Sequence, residues 1–161
     1  MIKTLAKCIV ATLFAGVILG SDFAAASEAP NATSPIGTWL FQNRRFAIQI
    51  DPCGDRLCAK VSWLQAPTDA QGQPRLDSKN PDSNLRSRPV LGLTVLNGLR
   101  RVSSRTWDGG DIYNPDDGNH YQASLAMSED GSLRVRAFLG IPLFGKTLRL
   151  VRGELGPLAR R

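Results

Sequence analysis

Between Gly37 and Arg152, apolar residues recur at every second position in short runs separated by turn residues. Side chains on a strand point alternately to its two faces, so each run marks a strand with one buried face. Trp39 and Phe41 alternate with Thr38 and Leu40. Phe46, Ile48 and Ile50 alternate with Ala47 and Gln49. Leu57, Ala59, Val61 and Trp63 alternate with Cys58, Lys60 and Ser62, which predicts Trp63 on the interior face. After a long break the rhythm returns over Val90–Leu99, Arg105–Tyr113, His120–Met127, Leu133–Leu139 and Lys146–Arg152. Turn signals separate these runs: Pro52-Cys-Gly-Asp55, Asn114-Pro-Asp-Asp-Gly118, Glu129-Asp-Gly131 and Gly140-Ile-Pro-Leu-Phe-Gly145. Long helical patterns are absent. Eight short strands with one buried face each predict an all-β, antiparallel, up-and-down eight-stranded barrel, whose closure removes its edges.

Ala66–Pro89 breaks the rhythm. It is polar and rich in Pro, Gly, Asn and Asp, and too long for an ordinary connection. Asp82–Arg86 is the one place in it that suits a short helical turn. Loops of this length on a rigid scaffold often carry function. Asp77, Lys79, Asn80, Asp82, Arg86 and Arg88 crowd polar groups into it, and Trp107–Tyr121 adds aromatic and acidic ones. From these, Asp77, Asn80, Arg86, Arg88, Trp107 and Tyr113 are the candidate ligand-binding residues. The competing explanation is an internal network that merely orders the loop.

The N-terminus has the layout of a secretory signal peptide. Lys3 and Lys7 precede the apolar run Cys8–Gly20, and Ala24-Ala-Ala26 supplies small residues for cleavage before Ser27. The run is shorter than the roughly 20 residues of a membrane span. This predicts a mature chain of residues 27–161, periplasmic or secreted, with no transmembrane segment. Its expected parts are a leader over 27–35, one domain over 36–153 and a disordered tail over 154–161. Cleavage would change the net charge from +6 to +5, with the excess nearly all Arg. Outside the cytoplasm such a charge suits anionic envelope molecules rather than nucleic acid, although solubility alone also explains it. Cys8 would leave with the signal peptide. Cys53 and Cys58 remain as an even pair in an exported chain, which predicts a disulfide.

The residues assemble no complete catalytic constellation. No G-x-S-x-G elbow is present, and His120, the one histidine, lies beside a turn. No catalytic residue, cofactor or metal site is therefore expected. Two cysteines and one histidine do not make a transition-metal site. Asp77, Asn80 and Asp82 lack the spacing of a calcium loop. Most of the loop carboxylates are better read as turn formers that bond their own backbone.

Gly37-Thr-Trp39 at the start of the first strand resembles the G-x-W signature of lipocalins and related small barrels. That resemblance implies a Trp plugging the closed end and an Arg from the last strand on its ring. Arg152 has the right strand parity for the part. More of the chain resembles the bacterial domain-of-unknown-function 2147 family. The matching stretches are Gly37-Thr-Trp39, Cys53–Cys58 leading to Trp63, Asp77–Asp82, Arg88–Gly92, Trp107–Gly118 and Leu139–Gly145. The resemblance implies export and a lipocalin-like barrel, and it supplies no activity. One departure is Leu150, where the family usually has Trp.

The expectation for function is a barrel that holds a small apolar or amphipathic, anionic envelope molecule. The tail would lie among Phe46, Ile48 and Val135, the head near Arg86 and Arg88, with Tyr113 at the mouth. The alternative is an envelope interaction or structural protein with a working surface loop. Its barrel would be solid, filled by Trp39, Phe46, Trp63 and Phe138. An enzyme with a loop-borne site ranks behind both. Nothing in the sequence sets an oligomeric state.

Overall fold

The alternating runs form eight strands in a computed structural model that describes residues 34–153. The expected signal peptide with its cleavage site, the leader as far as residue 33 and the tail over 154–161 lie outside the described residues. The strands are β1 (Gly37–Phe41), β2 (Phe46–Cys53), β3 (Arg56–Leu64), β4 (Thr94–Arg101), β5 (Thr106–Asn114), β6 (Asn119–Met127), β7 (Leu133–Phe138) and β8 (Lys146–Arg152). Each pairs antiparallel with the next, and β8 returns to β1 through Trp39↔Arg152, Leu40↔Val151 and Phe41↔Leu150. The sheet is thus a closed barrel with no free edge. Apart from two single 3₁₀ turns, Ser83–Leu85 and Pro142–Phe144, the described residues hold no helix.

Burial follows the alternation. Ile48, Ile50, Leu96, Leu99, Leu125, Leu133, Val135 and Leu150 are all within 2% of full burial and form one core. Exposed positions between them carry Lys60, Arg134 and Arg149. The wall is apolar inside and polar outside, the reverse of a lipid-facing barrel.

One expectation fails at a bulge. Ala47 pairs with Trp63 and Ile48 with Val61, so Ser62 is an extra residue in β3. A bulge reverses the alternation beyond it. Leu64 is therefore buried in the core, and Trp63 stands beside Ala47 on the outer face, half-buried.

The starts of β1, β3, β5 and β7 meet the ends of β2, β4, β6 and β8 at the closed end. Trp39 is fully buried there. Its indole N–H donates to the Pro35 carbonyl at 2.6 Å. The Arg152 guanidinium lies 4.6 Å from the ring centroid, close enough for a cation–π contact of about 1 kcal/mol. Arg152 also donates to the carbonyls of Ile36, at 3.1 Å, and Ser34. Gly37 has φ 122°, and a Cβ on it would stand 3.1 Å from Arg152 Nη1. Both facts account for glycine at this position. Leu150, paired with Phe41, is fully buried in the core.

Cys53 and Cys58 are bonded across the β2–β3 hairpin, with Cα atoms 5.8 Å apart. So short a loop contributes about 2 kcal/mol on the chain-entropy account, a clip on a turn rather than a substitute for the core.

Candidate functional site: the mouth and its rim segment

The open end is formed where β3 gives way to the long segment. This stretch is folded, with bridges Thr68↔Pro74 and Leu76↔Pro89 and the 3₁₀ turn at Ser83–Leu85. Asp82 caps that turn by accepting from the Asn84 N–H at 2.9 Å, where the sequence predicts a helical turn. Val90 and Leu93 then enter the core and lead into β4.

Asp77 is the hub of the rim. Its carboxylate is fully buried, with both oxygens engaged. Oδ1 accepts from the Tyr113 hydroxyl at 2.6 Å. Oδ2 accepts from Asn80 Nδ2 at 2.8 Å and from Arg88 Nε at 2.9 Å, and Arg88 Nη2 completes the ion pair at 2.9 Å. Asn80 also donates to the Tyr113 oxygen at 3.1 Å, and its backbone carbonyl accepts from Arg86 Nε at 2.7 Å. Burial alone would raise the Asp77 pKa. The hydrogen bonds from Tyr113, Asn80 and Arg88, with the Arg88 charge, outweigh it and hold the carboxyl below its ordinary range. Burial first, and then the Asp77 carboxylate, push the Tyr113 hydroxyl above its usual value. The network joins groups more than thirty positions apart and ties the long segment to β5.

A second tie runs to the β5–β6 turn. Arg75 pairs with Asp116, and Lys79 Nζ donates to the Asp116 carbonyl at 2.7 Å. Gly118 has φ 76°, and a Cβ on it would collide with the Lys79 carbonyl. Asp117 accepts from the Asn119 N–H at 2.9 Å and from the Tyr121 hydroxyl and Asn114 Nδ2, both at 2.8 Å. Burial opposes ionisation there too, but these bonds prevail and keep its pKa low. Asp117 therefore acts as a turn former.

Inside the mouth is a cavity of about 530 Å³. Ile48, Val61, Leu96, Val135 and Leu148 make its apolar depth, with Phe46 and Phe138 nearer the opening. Arg75, Asp116, Asp117 and Lys146 supply charge at the rim. Lys146 shares strand parity with Leu148 and Leu150, which places it on the inner face. The volume lies within the range of small-molecule sites. A concavity of about 510 Å³ at the closed end, lined by Arg105, Ser128 and Arg149 among others, is shallower and more open to solvent.

The structure brings Asp77, Asn80, Arg86, Arg88 and Tyr113 together at the rim. Of these, only Tyr113 borders the cavity. The Arg88 fork is held by Asp77, and Arg86 by the Asn80 carbonyl. Trp107 is not among them. It is buried at the closed end, paired with Leu125, beneath the Arg101 guanidinium at 5.9 Å. Phe46, Ile48 and Val135 do line the cavity. Trp39 is at the base and Trp63 outside, so two of the four large residues weighed as barrel fillers leave the upper interior free. His120 is exposed on the wall, against the Tyr113 ring at 4.8 Å and 3.7 Å from Asp111. Lys146 was missed as a candidate, although the parity of β8 could have marked it. Arg75 and Asp116 meet only through the folded rim, and spacing along the chain gives no sign of it.

Among the described residues no cluster of three or more His, Cys, Asp or Glu side chains is placed to hold a metal, and no helix is long and apolar enough to cross a membrane.

The fold is shared with a solved structure, the Helicobacter pylori protein HP1028, described as belonging to the lipocalin family. The TM-score is 0.65 at 23% identity, over 76% of this chain and 85% of that one. No curated protein sequence matches the chain. The model of the DUF2147 family, described as uncharacterized protein conserved in bacteria, matches residues 37–152. That span runs from the glycine of the closed-end motif to its arginine, so the chain belongs to the DUF2147 family and builds it as a lipocalin-like barrel.

Proposed function

We propose that the protein is exported and holds one small amphipathic molecule in its barrel, apolar tail inward and anionic head at the mouth. The carrying observation is the cavity of about 530 Å³ with apolar depth and a charged rim. At the roughly 30 Å³ that a water occupies in the liquid, it has room for about 18 heavy atoms. That is close to a medium-length acyl chain with a small head. A barrel filled by its own side chains would leave no such space, which favours this reading over the solid-barrel alternative.

The cation for the head is Lys146 rather than Arg86 or Arg88. Both arginines are engaged within the rim segment and stand off the cavity, whereas Lys146 borders it. The lipocalin description of HP1028 agrees with a ligand-holding barrel.

Native mass spectrometry of protein isolated from its host, with titration of fatty acids and lysophospholipids, tests the reading. Intact mass on the same sample tests cleavage after Ala26. The expected result is a bound amphiphile whose affinity falls about fivefold in Lys146→Met, since one surface charge is worth about 1 kcal/mol. Binding should vanish in Ala137→Trp, which fills the cavity from its wall. No adduct and no titratable binding in the folded wild type would overturn it.

A further inference from the structure

The β7–β8 connection is unlike every other turn of the barrel. Leu139, Ile141, Leu143 and Phe144 are 67, 52, 77 and 81% exposed. Single exposed apolar residues are ordinary, but four within six positions at one tip form a patch of the kind that marks a contact surface. The tip is held in shape. The Arg136 guanidinium donates to the Pro142 carbonyl at 2.6 Å, the Leu143 carbonyl at 3.1 Å and Thr147 Oγ1 at 2.8 Å. Gly145 packs so closely that a Cβ on it would stand 2.7 Å from the Ala137 carbonyl. With its backbone bound on the inside, the turn presents its apolar side chains outward.

The setting of the tip identifies the occupant. Exposed Arg44 and Arg45 lie in the β1–β2 turn at the same end of the barrel, across the β8–β1 pair, and exposed Lys146 follows the tip directly. Of the carboxylates lining the cavity, Asp116 is paired with Arg75, and Asp117 is an ionised group bound within its own turn by Asn114, Asn119 and Tyr121. An apolar tip beside cations matches a bilayer surface carrying anionic lipid, which takes apolar side chains at the acyl boundary and cations at its head groups. A second copy of this basic chain would bring the same cations face to face. The tip is also convex, so a protein partner would need a matching pocket, whereas a lipid interface yields around it.

We propose that the β7–β8 tip docks the open end of the barrel on an anionic membrane surface, mouth toward the lipid. Leu139 and Phe144 both belong to the tip and border the cavity, so docking places lipid against the opening. The docking does not depend on what the cavity holds.

The test uses the protein as isolated from cells, its N-terminal residue established by intact mass. It is sedimented with vesicles of phosphatidylcholine and phosphatidylglycerol, and with vesicles of phosphatidylcholine alone. Binding to the mixed vesicles should weaken as salt is raised and be much lower on phosphatidylcholine alone. Leu143→Ser with Phe144→Ser should cost at least about tenfold in vesicle affinity. Arg44→Glu with Arg45→Glu should cost a similar factor and flatten the salt dependence. Both pairs are exposed, so unchanged thermal unfolding confirms that the variants fold. In Phe144→Trp, the emission of the new indole should shift to the blue on the mixed vesicles. Absence of vesicle binding, or equal binding by wild type and the Leu143/Phe144 variant, overturns the proposal. So does a dimer in solution that the same variant converts to monomer, which would assign the tip to a second copy.

Discussion

At the closed end, Trp39 has no exposed surface, and the polar groups on it come from the termini of β1 and β8. Pro35, four residues before it, accepts its N–H, and the neighbouring strand brings Arg152 to its ring. At the mouth the arrangement is inverted. A carboxylate is buried in the rim, and four large apolar side chains stand in solvent. One end closes the core with a large apolar side chain. The other uses charged hydrogen bonds to brace a segment beside an opening. Substitutions at the closed end should therefore lower the stability of the whole barrel. Those at the rim should loosen the segment before the strands.

The largest effect should come from Trp39→Ala. Truncating a fully buried Trp costs about 4 kcal/mol, from lost transfer energy and from the cavity left behind. Urea unfolding should show it as a lower midpoint by every probe. A loss under about 1 kcal/mol would mean that the base collapses around the gap and is not the keystone its packing suggests.

Asp77→Ala ranks next, at about 3 kcal/mol, because it strands the partners of a buried carboxylate. Amide exchange should rise over residues 76–90 while β1 and β8 keep their protection. A uniform rise would dissolve the distinction between the two ends and make the protein one cooperative unit. The pH dependence sharpens the point. The folded-state pKa of Asp77 is depressed, so its contribution is full above the ordinary carboxylate pKa of about 4 and is lost as pH falls through the depressed value. Tyr113 is shifted upward, so its contribution is full below about 10 and is lost as pH rises through the raised value. Protection of the rim segment should therefore be flat between these limits and fall at both. Tyr113→Phe should remove the alkaline limb and, by taking a hydrogen bond from Asp77, move the acid limb to higher pH.

The smallest effect is expected from the Arg152–Trp39 contact itself, about 1 kcal/mol of coupling for the cation–π interaction. A double-mutant cycle of Arg152→Ala with Trp39→Leu measures that coupling directly. Zero coupling would mean that Arg152 acts through hydrogen bonds such as those to the Ile36 and Ser34 carbonyls rather than through the ring.

The strand set was legible because period-two alternation is a property of consecutive residues, and a barrel with one interior demands it of every strand. The β7 and β8 runs, the disulfide hairpin and the turn at Asp82–Arg86 all lie close to where pattern and spacing put them. Trp63 shows where such reading stops. The bulge at Ser62 depends on how β3 meets β2 across the sheet, and no residue within the run announces it. Trp107 shows a second limit. Proximity in sequence to Tyr113 suggests a shared site, yet a strand is extended, and the length of β5 separates the closed end from the mouth.

The sequence by itself determined the eight strands, the turns between them, the Cys53–Cys58 clip and the inward parity of Arg152, while its contact with Trp39 was implied by the lipocalin resemblance. Each follows from neighbouring residues, strand parity or a short motif. Only the tertiary structure decided that the upper interior is open, that Asp77 and Tyr113 meet, and that Lys146 rather than Arg88 borders the cavity. Those outcomes depend on barrel closure and on contacts between residues tens of positions apart. Such contacts are set by the register and packing of the whole chain, so no local pattern encodes them.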